Sequence, residues 1–294
     1  MVRQDEPSPP RGGSHHSGAP DIPGTVITSR GNPLIRDLRA LLHSSKRRAA
    51  RCVVEGWRVL EAAVANGAQL HFVVYTPAAA AHPRAGELRQ RLQSMGVRLI
   101  LVSPYVFKSL TQVEAPQGVL GVARRPPEAS AAILRDRRAL LIVLDGIQDP
   151  GNVGAMLRTA AAAGATGGVI VGSAADPYGA KAIRASAGAV FRLPLLFFKT
   201  ATEAAAALLE HRVRLLIADP RGERLDSEIS YSRRPLALVF GSEGAGAAPA
   251  WAQQGITVRL PMAEAVESLG VAAAAAVLLY RAGHPISTWK ATEN

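Results

Sequence analysis

The stretch ALLIVLDGIQDPGNVGAMLRTAAAAG, residues 139–164, decides the fold class of this chain. Its first nine residues form a nearly continuous apolar run, which is typical of a strand buried on both faces in a parallel sheet. A helical segment follows after a short loop and stops at Gly164. A buried strand that leads directly into a helix predicts an α/β domain with a largely parallel sheet.

The same alternation continues toward the C-terminus. Strand-like runs such as GGVIVG and PLALVFG alternate with helical segments, and the last helix is predicted from Ser268. Ligands of parallel sheets bind beyond the carboxyl ends of the strands. The loops after Ile147, Phe240 and Leu260 are therefore the predicted functional loops.

A smaller unit precedes this domain. A helix is predicted over residues 33–42, a second one after Glu55, and strands such as HFVVY alternate with further helices, which together describe a small α/β sandwich. The first residues are rich in Pro, Gly, Ser and His, and the stretch RRPPEASAAILRDR is typical of a linker. We predict a disordered arm over 1–24, the small domain over 25–125, a linker over 126–138 and the main domain over 139–294.

Composition excludes several protein classes. The 294 residues are 48% hydrophobic and 19% charged, so the chain is neither disordered throughout nor fibrous. The single cysteine, Cys52, cannot form an internal disulfide, and no Cys or His spacing matches a metal site. No signal peptide or membrane-spanning run is present. We expect a cytoplasmic protein without a metal, in which Cys52 is buried rather than nucleophilic.

The charge balance points to a polyanionic partner. Lys and Arg number 34 against 23 Asp and Glu, which gives a formal net charge of +11. Eight basic and only two acidic residues fall between Arg30 and Arg58. This concentration is typical of phosphate binding, although a solvated helix face is the alternative. No helix-turn-helix or zinc pattern supports a DNA-binding protein. The candidate RNA-binding residues are Arg30, Arg47, Arg48 and Arg51.

The first functional loop contains a candidate anion site. Gly154 and Arg158 are four residues apart on one helix face, so the guanidinium of Arg158 would reach back over Gly154 toward the helix N-terminus. A phosphate or carboxylate would be held there, with Asn152 as a candidate N-cap. The alternative is a structural ion pair of Arg158 with Asp145 or Asp149.

The other two loops are weaker signals individually. In LVFGSEGAGA, residues 238–247, three glycines allow close approach of a ligand, and Glu243 is either a functional carboxylate or a charge near a helix end. No GxGxxG fingerprint is present, so a Rossmann fold loses support. In VRLPMAEAVESLGVAAAAAVLLYRAG, the alanine run indicates either a crowded helix or simply high helix propensity.

Together, the three segments resemble the TrmH (SpoU) family of SPOUT methyltransferases. The family patterns NxGxxxRTA, GxEGxG and IPMxxxxESLNVS correspond here to NVGAMLRTA, GSEGAG and LPMAEAVESLGVA. The segment DPYGAKAIRASAGAVFRLP is also similar to the family. Residues 27–63 are similar to the small substrate-binding domain that many rRNA-directed members carry. The resemblance covers roughly residues 25–285.

The resemblance implies fold, chemistry and site residues. The implied fold is an α/β domain with a deep trefoil knot, preceded by a ribosomal-protein-like α/β sandwich, in a homodimer. The implied reaction is S-adenosylmethionine-dependent methylation of a ribose 2′-hydroxyl, a group that distinguishes RNA from DNA.

Arg158 matches the residue assigned to catalysis, and because arginine stays protonated, oxyanion stabilisation and phosphate positioning are preferred to a base role. Asn152 and Glu243 would orient Arg158 and the ribose. The implied cofactor residues are Gly241, Leu260, Met262, Ser268 and Leu269.

Two departures from the family keep alternatives open. Gly270 stands where the family has Asn, and Ala272 stands where it has Ser. Both changes remove hydrogen-bonding groups near the implied site. Large-subunit (23S) rRNA is the favoured substrate because of the extra N-terminal domain. The alternatives are a tRNA ribose methyltransferase and a non-catalytic RNA-binding or ribosome-assembly protein.

Overall fold

The computed structural model describes residues 25–42, 50–264, 266 and 268–284. The described residues contain two sheets, one of four strands and one of seven. The predicted disordered arm, residues 1–24, lies outside the described residues.

The smaller sheet lies in the N-terminal part of the chain. Its elements are α1 (Pro33–Leu42), β1 (Arg51–Glu55), α2 (Trp57–Ala65), β2 (Leu70–Tyr75), α3 (Pro77–Ala80), α4 (Ala85–Ser94), β3 (Arg98–Leu101), α5 (Pro104–Phe107) and β4 (Val119–Arg124). The strand order is β1-β4-β2-β3. Strand β4 is antiparallel to β1 and β2, whereas β2 and β3 are parallel. The carboxyl ends of β1, β2 and β3 therefore lie at one edge of this sheet.

Local sequence explains several of these elements. The predicted helix over residues 33–42 is confirmed as α1. Thr76 and Ser103 cap α3 and α5, and each is followed by a proline at the first helical position. Strand β1 was not predicted, because its residues, RCVVE, form a short run without alternation. Cys52 in β1 is buried as expected, and burial raises the pKa of its thiol to about 12.

The larger sheet forms the C-terminal part. Its elements are β5 (Leu140–Asp145), α6 (Pro150–Ala162), β6 (Gly167–Val171), α7 (Ala180–Ala185), β7 (Leu195–Phe198), α8 (Ala201–Glu210), β8 (Arg214–Ala218), β9 (Arg224–Leu225), β10 (Leu236–Gly241), α9 (Pro249–Ala252), β11 (Ile256–Arg259) and α10 (Val271–Gly283). The strand order is β7-β6-β5-β10-β8-β11-β9, and every pairing is parallel. The predicted parallel sheet is confirmed.

Strand β10 occupies the position that matters most for a ligand. It follows β8 in the chain but pairs with β5 on one side and β8 on the other. The carboxyl ends of β5, β8, β10 and β11 therefore lie side by side, at a point where the strand order does not follow the chain order. Such points are the usual ligand sites of open α/β sheets.

Helices α6, α7 and α10 pack closely because small residues line their contacts. A Cβ added at Gly154 in α6 would lie 2.3 Å from the carbonyl oxygen of Ala182 in α7. A Cβ added at Gly283 in α10 would lie 1.9 Å from the carbonyl oxygen of Ala163. Only glycine fits at either position without a shift of backbone.

A buried charge cluster anchors the end of α10. The Asp226 carboxylate, 3% exposed, accepts a hydrogen bond from the Tyr231 hydroxyl at 2.6 Å and pairs with Arg281 of α10 at 2.6 Å. Burial and this contact raise the pKa of Tyr231. Because the carboxylate has two partners, its charge is compensated within the core.

The two parts of the chain contact each other through polar groups. The Glu55 carboxylate at the end of β1 is 5% exposed, accepts a hydrogen bond from the Thr111 hydroxyl, and pairs with Arg184 at the end of α7 at 3.3 Å. Arg125 pairs with Asp176 at 2.9 Å. Helix α7 thus contacts both α6 and the small sheet.

We expect Gly154→Ala to destabilise the fold. The new methyl group would meet backbone and Cβ atoms of α7 at 2.3 and 2.6 Å, and such overpacking costs about 1–3 kcal/mol. The free energy of unfolding in urea measures the effect. Gly86→Ala in α4 is the matched control, because no atom lies within 4 Å of its added Cβ and the change should stabilise by up to about 1 kcal/mol. Equal stability of Gly154→Ala and the wild type would contradict the close α6 to α7 contact.

Candidate functional site

A cavity of about 450 Å³ lies at the carboxyl edge of the larger sheet. Its walls come from the loops after β8, β10 and β11 and from the start of α10. Its volume is in the range of ordinary small-ligand sites. The lining residues are 218–221, 240–247, Val258, Leu260, Met262, 268–271, Ala274 and Leu278.

The loop after β10 turns back on its own strand. Ser242 and Gly246 exchange two backbone hydrogen bonds, at 3.1 and 2.9 Å. A Cβ added at Gly241 would lie 1.9 Å from the Ala247 nitrogen, so the returning chain needs glycine at this position. The loop therefore has a defined shape formed by backbone contacts.

The end of β5 holds this loop in place. Asp145 is paired in register with Gly241, and its Oδ2 accepts hydrogen bonds from the Ala248 nitrogen at 2.8 Å and Trp251 Nε1 at 3.0 Å. Asp145 therefore fastens the far end of the loop to the neighbouring strand. A charge-assisted acceptor with two donors is a strong contact of this kind.

Helix α6 reaches the tip of the same loop. Asn152 Nδ2 donates a hydrogen bond to Glu243 Oε1 at 2.5 Å. Glu243 is exposed and lines the cavity. The first and second predicted loops, 91 residues apart in the chain, thus meet at the cavity mouth.

Sequence reasoning missed one wall of the cavity. After β8, the turn of residues 218–221 lines it, and Asp219 Oδ1 accepts a hydrogen bond from the Arg221 nitrogen at 2.8 Å. The strand predicted from the sequence, RLLIADP, ran into this turn, and the available signal for its end was the turn sequence DPRG. Arg221 is the only cationic side chain in the described lining.

Backbone groups are accessible in the cavity. Gly244 and Gly270 both line it, and a Cβ added at either would meet no atom within 4 Å. Phe240, Val258 and Leu278 contribute apolar surface from the sheet and α10. The site thus combines an apolar wall with backbone donors and acceptors.

The structure brings most of the predicted site residues together. All five predicted cofactor residues, namely Gly241, Leu260, Met262, Ser268 and Leu269, line the cavity. Glu243 lines it too, and Asn152 reaches it through Glu243. Their roles in binding and catalysis stay predictions.

Arg158 is placed differently from the other candidates. Its side chain is exposed and does not line the cavity of its own chain. The predicted anion site over Gly154 is wrong, because α7 covers that glycine. The predicted N-cap is also wrong: Asp149, not Asn152, caps α6 by accepting from the Gly151 nitrogen at 2.6 Å.

The alternative role of Arg158 in a structural ion pair finds no support. Asp149 pairs with Lys181 at 2.9 Å, and this contact lowers the pKa of its carboxyl. Asp145 is bound to the loop after β10. Within the described ranges, Arg158 has no carboxylate partner.

The predicted RNA-binding residues are only partly described. Arg47 and Arg48 lie outside the described residues. Arg51 pairs with Asp37 at 2.8 Å, and this hydrogen bond lowers the pKa of Asp37. Arg30 lies against the ring of Tyr105 instead.

The described part of the chain contains neither a metal-binding cluster nor a membrane-spanning helix. No group of three or more His, Cys, Asp or Glu side chains there is arranged to hold a metal ion. No helix of that part has the length and apolar character needed to cross a membrane.

Known proteins resemble this chain over both sheets. Residues 139–280 match the model of the SpoU rRNA Methylase family, and residues 32–121 match an MRM3-like substrate binding domain. An uncharacterized tRNA/rRNA methyltransferase of Synechocystis sp. is 34% identical, with 87% of this chain and 92% of that protein covered. A 23S rRNA (adenosine(1067)-2′-O)-methyltransferase of Streptomyces laurentii is 30% identical, with 87% and 94% covered.

A solved structure has the same fold. The SpoU methyltransferase AviRb of Streptomyces viridochromogenes, in complex with the cofactor AdoMet, matches with a TM-score of 0.78 and 28% identity. The match covers 88% of this chain and all of that one (100%).

We expect Gly270→Asn to leave the fold intact. Gly270 precedes α10 with φ −55° and ψ 141°, which any residue adopts, and its added Cβ meets no atom within 4 Å. An Asn there would cap α10 and change the free energy of unfolding by only about a few tenths of a kcal/mol. Gly241→Ala is the contrasting variant, because its Cβ meets backbone at 1.9 Å and overpacking costs about 1–3 kcal/mol. Urea unfolding of both variants measures this difference, and similar losses in the two would contradict it.

Proposed function

The chain belongs to the SpoU rRNA methylase family, and on that premise we propose that it is an S-adenosylmethionine-dependent RNA 2′-O-ribose methyltransferase. The favoured substrate is 23S rRNA, the substrate that the name of the Streptomyces laurentii relative states. The observation that carries the proposal is the cavity after β8, β10 and β11, with Asn152 and Glu243 joined at its mouth.

The cavity fits a molecule with one flat apolar part and several polar groups. Phe240, Val258 and Leu278 offer apolar contact to an adenine ring, and accessible backbone at Gly244 and Gly270 offers hydrogen bonds to polar groups. S-adenosylmethionine, when bound, supplies an electrophilic methyl group. We assign its binding to the predicted residues Gly241, Leu260, Met262, Ser268 and Leu269.

Arg158 is the proposed catalytic residue. A ribose hydroxyl is a weak nucleophile at neutral pH because it keeps its proton. Negative charge develops on its oxygen as that proton leaves to solvent water, and an electrostatic partner stabilises this charge. The guanidinium of Arg158 is protonated, exposed and without a carboxylate partner among the described residues, so its charge is available to that oxygen or to an adjacent phosphate. Asn152 and Glu243 hold each other at the cavity mouth, where they would orient the ribose.

A homodimer accounts for the position of Arg158. Arg158 does not line the cavity of its own chain, so we propose that it acts at the cavity of a second copy. Helix α10, which packs on α6, presents Val277 and Tyr280 to solvent at 42% and 47% exposure. These two side chains are three residues apart on one face, and burying them against a second copy would remove apolar surface from water. We also expect the chain between β10 and α10 to form the family's trefoil knot.

The N-terminal domain is the proposed RNA-binding part, in a protein that acts in the cytoplasm. It matches a substrate-binding family model over most of its length. The high positive charge of the chain, +11, favours a nucleic acid partner. We assign RNA contacts to Arg30, Arg47, Arg48 and Arg51.

A labelling experiment tests the function directly. In two separate reactions, the protein is incubated with methyl-labelled S-adenosylmethionine and either unmodified 23S rRNA or unmodified tRNA. The RNA of each reaction is then digested and searched for labelled 2′-O-methylnucleosides. Label in 23S rRNA supports the proposal, whereas label in tRNA alone would reject the favoured substrate. Absence of label in both, despite measurable binding of cofactor and RNA, would favour a non-catalytic RNA-binding protein.

We expect Arg158→Ala to slow methyl transfer strongly and to leave cofactor affinity nearly unchanged, because Arg158 lies outside the cavity of its own chain. Loss of one electrostatic stabiliser of a developing oxyanion costs about 100–1,000-fold in rate. Arg192→Ala is the matched control, because Arg192 is an exposed arginine of the same domain that does not line the cavity. Calorimetric titration and single-turnover rates separate binding from chemistry, and wild-type turnover of Arg158→Ala would reject the assigned role.

Co-expression of two inactive variants extends the Arg158 prediction to the dimer. One copy carries Arg158→Ala, and the other carries a cavity-blocking Ser268→Trp. If Arg158 acts on the partner's cavity, random pairing restores about one quarter of the active sites of the wild type. If Arg158 acted within its own chain, a mixed dimer would contain no complete site. The co-expressed variants would then be no more active than either variant alone.

We expect simultaneous Gln substitution of Arg47, Arg48 and Arg51 to weaken rRNA binding and reduce its salt dependence. The binding constant K falls as salt rises, and each lost phosphate contact makes the slope of log K against log salt less steep by about 0.7–0.9. Filter binding at several salt concentrations measures the slope. Gln substitution of Arg135, Arg137 and Arg138, a basic cluster of equal charge in the linker, is the matched control. An unchanged slope in the first variant would show that its three arginines do not contact RNA.

A further inference from the structure

Tyr105 stands out on the surface of the N-terminal domain. At 62% exposure, it is the most exposed of the large apolar and aromatic side chains in the described part of the chain. It lies in α5, two residues after the capping residue Ser103. The ring is available to a binding partner, because most of its surface faces solvent.

The ring of Tyr105 is held by an arginine on one side. The guanidinium carbon of Arg30 lies 3.9 Å from the ring centroid, and Arg30 Nη2 donates a hydrogen bond to the Tyr105 carbonyl oxygen at 3.3 Å. Arg39 Nη2 in turn donates to the Arg30 carbonyl oxygen at 2.9 Å. The guanidinium covers one ring face, and the exposure of the residue leaves the other face to solvent.

The backbone fixes the two partners side by side. Ile27 forms a parallel bridge with Val102, immediately after β3, and the Ser103 nitrogen donates to the Ile27 carbonyl oxygen at 3.0 Å. The segments that carry Arg30 and Tyr105 therefore both start from the carboxyl end of β3, an edge strand of the small sheet. The arrangement is preorganised by main-chain contacts.

The surroundings of Tyr105 are positively charged. Lys108 is exposed three residues further along, on the same side of the short helix. Neither Arg30, Arg39 nor Lys108 forms an ion pair with any residue that the structure describes. The nearby acid Asp37 is already paired with Arg51. The ring thus stands among uncompensated cations, where an apolar protein partner would be poorly matched and an anionic one well matched.

We propose that Tyr105, backed by Arg30, is a stacking platform for an unpaired base of the RNA substrate. This inference rests on the proposed function and adds a residue that recognises the RNA by stacking. Proteins recognise single-stranded loops and bulges of RNA by stacking unstacked bases on aromatic rings and guanidinium planes. The cations around the ring would contact the adjoining phosphates, and the free face of Tyr105 would take the base.

The test separates stacking from charge. Binding of unmodified 23S rRNA is measured by filter binding over a series of salt concentrations for the wild type, Tyr105→Ala and Tyr105→Phe. Loss of a base-stacking ring weakens binding by about 5- to 100-fold. We expect that loss for Tyr105→Ala with an unchanged salt slope, and near wild-type affinity for Tyr105→Phe. Met95→Ala is the matched control, because Met95 is 50% exposed in the same domain and precedes β3, whereas Tyr105 follows that strand.

Two further readouts locate the effect. With thiouridine-substituted 23S rRNA, photocrosslinking followed by peptide mapping should place a crosslink in the peptide that contains Tyr105. In steady-state methylation, Tyr105→Ala should raise the KM for rRNA and leave the saturated rate nearly unchanged.

Equal affinity of wild type and Tyr105→Ala, or a loss for Tyr105→Phe as large as that for Tyr105→Ala, would overturn the stacking proposal. Failure of the wild type to bind S-adenosylmethionine or to methylate RNA would instead overturn the proposed function, because stacking is read from RNA binding alone.

Discussion

The parallel pairing of β10 between β5 and β8 is the constraint on which the site depends. It sets Gly241 beside Asp145 and, on the other side, Phe240 beside Ala218. Three loops from distant parts of the sequence then leave the sheet at the same edge. The Asp145 carboxylate joins two of them by binding the Ala248 nitrogen and Trp251. Without this pairing, the residues that line the cavity would have no common edge from which to converge.

Helix α6 links the cavity to the rest of the molecule. Its first turn reaches the cavity mouth through Asn152, and its Gly154 lets α7 approach to backbone contact distance. Helix α7 continues to the small sheet, where Arg184 pairs with the buried Glu55. An uncompensated buried carboxylate would be costly, so this pair and the Thr111 contact favour one fixed arrangement of the two sheets. The position of the N-terminal domain relative to the cavity is thereby tied to the helix that carries Arg158.

Sequence patterns predicted the elements with strong periodicity and missed those set by tertiary contacts. The buried run from Leu140 predicted β5 and the parallel sheet, and α1 was predicted at both ends. The short strand β1 was missed, since five residues hold too little periodicity. The cavity residues were predicted from the resemblance of their motifs to those of the family, whereas the wall at Asp219 depends on which strands pair. The anion site predicted over Gly154 was wrong, because residue spacing within α6 does not show that α7 packs on the face that carries Gly154.

Cationic side chains are distributed unequally between the cavity and the N-terminal domain. Arg221 is the only cation in the described lining of the cavity, so the cavity itself has little attraction for a polyanion. The N-terminal domain has cations that no described acid compensates, among them Arg30 and Arg39 around Tyr105. Affinity for RNA would then come mainly from a surface distant from the chemistry, and salt would affect binding more than the chemical step. In the proposed reaction, the distance and orientation between the domains would select the nucleotide. The buried pair of Glu55 and Arg184 would then affect specificity, although neither residue lines the cavity.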